Sequence, residues 1–214
     1  MKLDVRTVGA CEENCYLVQD ETSNRAVLID PGDEGSRIIE MVETSGATLD
    51  AIWLTHAHLD HIGAVNAVRA AYPVPVHLHP LDLPYYERLS ANAARMYGLP
   101  WDQPDAIPLP LAHGDMLTSG TLKFNVMHVP GHAPGQVSFN GPDASFAGDL
   151  LFAGSIGRTD LPLSDPYAMD ASLEHFATLS AGTHVYPGHG PATTIGRELE
   201  TNPFLSGRAR ALKR

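Results

Sequence analysis

Covalent bridges cannot hold this chain together. Among its 214 residues there are two cysteines, Cys11 and Cys15. Their spacing is not CxxC, and no second pair follows to complete a cysteine zinc site. They read as ordinary buried small residues of a protein in a reducing cytoplasm. Long apolar runs are also missing: nothing approaches the roughly 18 residues needed to cross a bilayer. The opening segment MKLDVRTVGACEENCYLV is broken by Asp4, Arg6, Glu12 and Glu13 where a secretion leader would carry its apolar stretch. Positive charge is scarce, with 14 Lys and Arg against 25 Asp and Glu and a net charge of −11. That balance speaks against a general nucleic-acid binder, which needs a basic face. It leaves an anionic small molecule open, because a few arginines or metal ions reverse the potential inside one cleft.

What the chain does contain is an ordinary globular composition, 43% hydrophobic and 18% charged. At this length a core forms without help from a structural metal, so any bound metal is expected to do chemistry. The first thirty residues read as antiparallel strands: LDVRTV, NCYLVQD, then RAVLID running into the Pro31-Gly32 turn. SRIIEMVETSG has helical spacing and a stop at Gly46. LDAIWL reads as a buried strand, HIGAVNAVRAAY as one helix closed by Pro73, VPVHLH as a strand, and the segment after Pro84 as helical. Four prolines in residues 99–110 make a surface loop. MLTSGTLKFNVMHV, QVSFN and ASFAGD form a second run of strands. YAMDASLEHFATLS is helical, THVYPGHG is a strand entering a turn, and TTIGRELETN is a last short helix. Two halves, each of strands then helices, imply two mixed sheets packed face to face with helices outside, an α/β sandwich of four αββα layers.

The chemistry concentrates in Thr55-His56-Ala57-His58-Leu59-Asp60-His61, between the LDAIWL strand and the next helix. In extended backbone, residues two apart face the same way, so His56 and His58 can grip one ion together. Once the chain turns, Asp60 and His61 are placed for a second ion nearby. Imidazole and carboxylate suit zinc, iron or manganese. Four such residues within six positions are hard to explain as packing. His132, Asp149 and His189 sit at the ends of other strands, each beside a glycine or within a turn. Five histidines and two aspartates suffice for two ions if one carboxylate bridges.

These residues carry a pattern that resembles the metallo-β-lactamase superfamily over nearly the whole chain. LTHAHLDHIGA resembles its HxHxDH loop, VPGHAPGQVSF the segment of its third histidine, FAGDLLF that of its bridging aspartate, and YPGHGPATTI that of its last histidine. NCYLV and LIDPG resemble its opening strands. The resemblance implies that His56, His58 and His132 hold one metal, that Asp60, His61 and His189 hold the other, and that Asp149 bridges. Asp30 would orient a ligand histidine by hydrogen bond, a turn aspartate before Pro31 being the plainer reading.

GSIGRTDLP (residues 154–162) and TNPFL (residues 201–205) are similar to the glyoxalase II-like branch, whose members hydrolyse glutathione thioesters such as S-lactoylglutathione. Full-length members carry a C-terminal helical domain, whereas 25 residues follow His189 here. The expectation is therefore a single domain over 1–214 of the short bacterial type. The implied cofactor is a pair of divalent ions, zinc first, with iron or manganese as alternatives. The implied reaction is attack of a metal-bridging hydroxide on an anionic thioester, with Asp60 orienting or deprotonating the water. Arg158 is the candidate for a substrate carboxylate, an ion pair with Asp160 being its plainer role. Tyr85, Tyr86 and Tyr97 line the cleft or simply pack. His77, His79, His113, His128, His175 and His184 receive no role. The GRTD segment is also shared with mononuclear iron persulfide dioxygenases, the alternative reading.

Overall fold

A computed structural model of the chain describes residues 1–211. The first sheet has six strands in the order β1 (Lys2–Val8), β2 (Glu13–Asp20), β3 (Arg25–Ile29), β4 (Thr48–Trp53), β5 (Val76–Leu78) and β6 (Leu109–Pro110). The first three are antiparallel hairpin neighbours, and β3 to β6 run parallel. The second sheet is ordered β14 (Thr193–Thr194), β13 (His184–Pro187), β10 (Ala144–Gly148), β9 (Val137–Asn140), β8 (Leu122–His128) and β7 (Met116–Ser119). Only β10 and β13 are parallel in it. β11 (Leu151–Phe152) and β12 (Ser155–Ile156) form a small hairpin.

The period-two alternation of strands sorts side chains into layers. Tyr16, Val18, Val27, Ile29, Ala51 and Trp53 point between the sheets and meet Phe124, Val126, Val137, Phe139 and Phe146. Trp53 lies at the middle, 5.6 Å from Phe124 and 5.3 Å from Phe139 between ring centroids. Truncating such a ring costs about 3–5 kcal/mol. Leu17, Leu28 and Ile52 point the other way. They pack under α1 (Gly35–Ser45), α3 (Val65–Ala71) and the segment of Tyr85 and Tyr86. Beneath the second sheet, Met127, Ala147 and Val185 meet α5 (Pro166–Phe176) and Ile195 at the start of α6 (Ile195–Thr201). The four-layer αββα sandwich expected from the sequence is the observed fold.

Three local differences have physical causes. The helix expected after the histidine loop is two, α2 (Leu59–Ile62) and α3. Gly63 crosses the Gly32 carbonyl so closely that a Cβ would lie 2.5 Å from it. The Ala64 N–H accordingly bonds Pro31 O rather than a helical partner. Thr193 and Thr194, expected in the last helix, are strand β14 paired with β13, and Thr194 caps α6 by accepting from Arg197 N. The proline-rich loop ends in β6, where Pro110 is tolerated because the strand is at the edge. Between Pro80 and Tyr97 the chain is helical in three steps: a 3₁₀ turn (Pro80–Asp82), one π turn (Tyr85–Leu89) and α4 (Ser90–Tyr97). Among the described residues no helix is long and apolar enough to cross a membrane.

Candidate metal centre

The seven metal-type residues singled out in the sequence converge at one end of the sandwich, from four separate chain segments. β4 delivers residues 55–58 across the gap between sheets, where Thr55 O accepts from Val137 N of β9 at 2.8 Å. α2 follows at once and carries Asp60 and His61. His132 comes from the loop between β8 and β9, Asp149 follows β10, and His189 follows β13.

Two trios result. The ligating atoms of His56, His58 and His132 lie within 4.8 Å of one another, as do those of Asp60, His61 and His189. Asp149 stands between them. Its Oδ2 is 3.4 Å from His132 Nε2 and 3.5 Å from His189 Nε2, and its Oδ1 is 3.5 Å from His61 Nε2. One carboxylate thus reaches into both trios. Gly188 permits this approach, since a Cβ there would sit 2.3 Å from Asp149 Oδ1.

The ring orientations follow a pattern. His132 donates its Nδ1–H to Arg158 O at 2.8 Å, and His189 donates its own to Cys11 O at 3.0 Å. His61 Nδ1 is 3.0 Å from Asp30 Oδ2. His56 Nδ1 is 3.1 Å from Thr55 Oγ1, whose hydroxyl donates onward to Asp30 Oδ2 at 2.6 Å. In each of these rings Nδ1 is held, which leaves Nε2 as the nitrogen that would ligate an ion once it carries no proton. His58 is the exception: its Nδ1 is the atom 2.8 Å from His132 Nε2, and its ring meets Tyr85 edge-on. Asp30 therefore ties down two of the histidines, His61 directly and His56 through Thr55. Its backbone is left-handed (φ 50°) where few residues other than glycine go.

These residues fit a pair of cations. His56 Nε2, His58 Nε2, His61 Nε2 and Asp149 Oδ1 are buried without a hydrogen-bond partner, a concentration of orphaned polar atoms that structural cores avoid. Burial pushes His56 and His58 well below the ordinary histidine range, and their imidazole neighbours push the same way, so both stay neutral donors. Burial works against a charge on His61 too, but Asp149, the Asp30 hydrogen bond and Asp60 outweigh it and raise His61 to about 9. Burial likewise opposes ionisation of Asp60, yet the hydrogen bond from His189 and the nearby imidazoles hold it below its ordinary value. The carboxylates thus draw positive charge to one half of the site.

Glu13 adds a further carboxyl. It is fully buried, 3.9 Å from His61 Nδ1, with neither oxygen hydrogen-bonded to a side chain. Burial and the charges of Asp30, Asp60 and Asp149 push it well above the ordinary carboxylate range.

Other expectations are placed differently. Cys15 is buried, but Cys11, expected inside, is exposed at the rim. Its thiol is raised to about 11 by partial burial and by Asp60. The reason is the turn between β1 and β2, which projects residues 9–12 toward His189. Arg158 is exposed and makes a two-point ion pair with Asp160, at 2.6 and 2.9 Å. Tyr85 donates to Pro162 O and packs on His58, Tyr86 is buried under the first sheet, and Tyr97 is exposed. Thr55 and Glu13 carry no signal of their own in the sequence beyond adjacency to residues that do.

Known proteins resemble this chain over most of its length. The family model of the metallo-beta-lactamase superfamily matches residues 8–189, so the chain belongs to that superfamily. The hydroxyacylglutathione hydrolase GloC of Haemophilus influenzae is 36% identical over 217 residues, covering 98% of this chain and all of the relative. Among solved structures, TTHA1623 in a di-iron-bound form is 48% identical with a TM-score of 0.88, covering 94% of this chain and 100% of that one. The B3 metallo-beta-lactamase BLEG-1 is 38% identical with a TM-score of 0.90, covering 96% and 100%.

Proposed function

We propose that this protein is a binuclear metal-dependent hydrolase of small anionic thioesters of the S-lactoylglutathione kind, working in the cytoplasm. The observation that carries the reading is the Asp149 carboxylate reaching into both trios of ligand atoms, within 3.5 Å of His61, His132 and His189. The similarity to GloC supports the substrate class, and the di-iron-bound TTHA1623 supports two metals per chain. Zinc, iron and manganese all suit the donor set, zinc being our first choice.

When bound, such a pair supplies a water acidified to a pKa of about 7 and a Lewis acid for the carbonyl oxygen. The chain's own residues do the rest. His56, His58 and His132 form one trio, Asp60, His61 and His189 the other, and Asp149 joins them. Asp60 Oδ2 lies 3.4 Å from His189 Nε2 at the more open side of the site, and its role in this reading would be to orient a metal-held water. A thiolate leaves readily, so no further acid is required of the protein. Arg158 flanks the opening and would meet a substrate carboxylate by exchanging its present partner, Asp160. The free thiols of Cys11 and Cys15 accord with a reducing compartment.

The test is elemental analysis of protein purified without added metal, together with turnover of S-lactoylglutathione, a cephalosporin, and glutathione persulfide under oxygen. Close to two ions per chain and thioester hydrolysis abolished by a chelator is the expected result. One iron per chain with oxygen uptake on the persulfide would replace the reading with the mononuclear dioxygenase. Preferential cephalosporin hydrolysis would replace it with a β-lactamase.

A further inference from the structure

The residue between the two leading histidines, Ala57, makes both of its backbone hydrogen bonds to side chains of one distant segment. Its N–H donates to Asp82 Oδ2 at 2.8 Å, and its carbonyl accepts from Ser90 Oγ at 2.6 Å. The other Asp82 oxygen, Oδ1, accepts from Gly135 N at 2.5 Å. Gly135 lies in the loop that carries His132. Asp82 is fully buried and Ser90 nearly so. The fit at Gly135 is tight, since a Cβ there would lie 2.7 Å from Asp82 N and 2.8 Å from its Oδ1.

The helical irregularity serves the same contact. Tyr85 packs its ring on His58, with centroids 4.4 Å apart, and Ser90 reaches Ala57 five residues later. In an α-helix, residues three or four apart share a face. The single π turn between them, closed by Ser90 N–H to Tyr85 O, brings residues five apart onto one face.

We propose that Asp82 and Ser90 are positioning residues: they grip the backbone on either side of His56, His58 and His132 and thereby set the affinity of that trio for its ion. This rests on reading the site as a metal centre. Asp82 accepts from a backbone N–H of each ligand loop at once, one from each sheet's edge of the site. A carboxylate suits the task because it offers two acceptors and no donor. Asparagine keeps one acceptor and turns an NH₂ toward the second N–H, so one loop is released.

The experiment is zinc titration of the metal-stripped full-length protein against a chromophoric competitor, with the visible spectrum of the cobalt form as a second readout. Wild type is expected to bind two ions. D82N is expected to lose about 10- to 100-fold of affinity in one of the two binding phases, with an altered cobalt spectrum and the other phase unchanged. S90A is expected to weaken the same phase less. D20N, which removes a buried carboxylate at the opposite end of the sandwich, controls for loss of stability and should move neither readout. Two ions bound by D82N with wild-type constants would overturn the proposal, as would equal weakening by D82N and D20N. Should D82N not fold, S90A decides: wild-type binding and spectrum in S90A overturn it. A wild-type protein that takes up no divalent ion would instead bring down the metal-centre reading itself.

Discussion

The two ends of this sandwich are built with the same device and put to different use. At the end away from the histidines, Asp20 closes β2 and accepts from Ser23 Oγ at 2.6 Å, Thr121 N at 2.7 Å and Thr22 N at 3.0 Å. It ties the β2–β3 turn to the β7–β8 turn, and the Ser23 and Thr121 bonds hold its carboxyl below the ordinary range. At the other end Asp30 and Asp82 also tie loops through backbone N–H groups. There, however, surrounding polar atoms are left without partners, among them three Nε2 atoms and Asp149 Oδ1. Where the carboxylate's own oxygens are matched by donors, as at Asp20, it only closes the fold. Where acceptors and lone pairs are left over, the fold is holding them for a ligand, because buried polar groups without partners are otherwise costly.

The contrast can be broken by mutation. The largest effect is expected for D149A, which removes the carboxylate standing between the two trios. Metal content should fall below two per chain and turnover about a thousand-fold or more, as loss of several kcal/mol of metal-borne stabilisation implies. D149A retaining both ions and activity would remove the basis of the binuclear reading. D30A should act at one remove, lowering metal affinity by about 10- to 100-fold while leaving all seven ligands in place, as measured by competition titration.

Proton release sharpens the comparison. His61 is raised to about 9 by its carboxylate neighbours, so near pH 7 it carries a proton that a metal must displace. Metal affinity should therefore rise with pH up to about 9, with proton release visible as buffer-dependent heats of binding. Uptake that is independent of pH would contradict the charge assigned to His61.

At the opposite end the sign is reversed and metal is not involved. The folded-state value of Asp20 lies below the unfolded one, so its contribution is present above the unfolded value of about 3.9 and is lost as the pH falls through the folded value. D20N should lower the melting temperature at neutral pH, with a difference that narrows on acidification and with unchanged metal content. The smallest effect is expected for R158A. An exposed ion pair is worth about 0.2–1 kcal/mol, so KM for an anionic thioester should rise a few-fold with little change in kcat.

Much of this was legible in the chain itself. The order of strands and helices in two successive halves implies two stacked sheets with helices outside, while the alternation within β2, β3 and β4 only decides which layer each buried side chain enters. The histidine loop is readable because a strand end and one helical turn bring His56, His58, Asp60 and His61 together whatever the rest of the protein does. Period and local spacing are properties of neighbouring residues, and sequence carries them directly. What tertiary structure decided are contacts between segments far apart in the chain: the grip of Asp82 on Ala57 and Gly135, the passage of Gly63 over Gly32 that splits one helix into two, the exposure of Cys11 and the burial of Glu13. An aspartate in a loop has the same local signature whether it faces water or two backbone N–H groups. Only the packing of one sheet against the other, with the helices laid over them, determines which of these it meets.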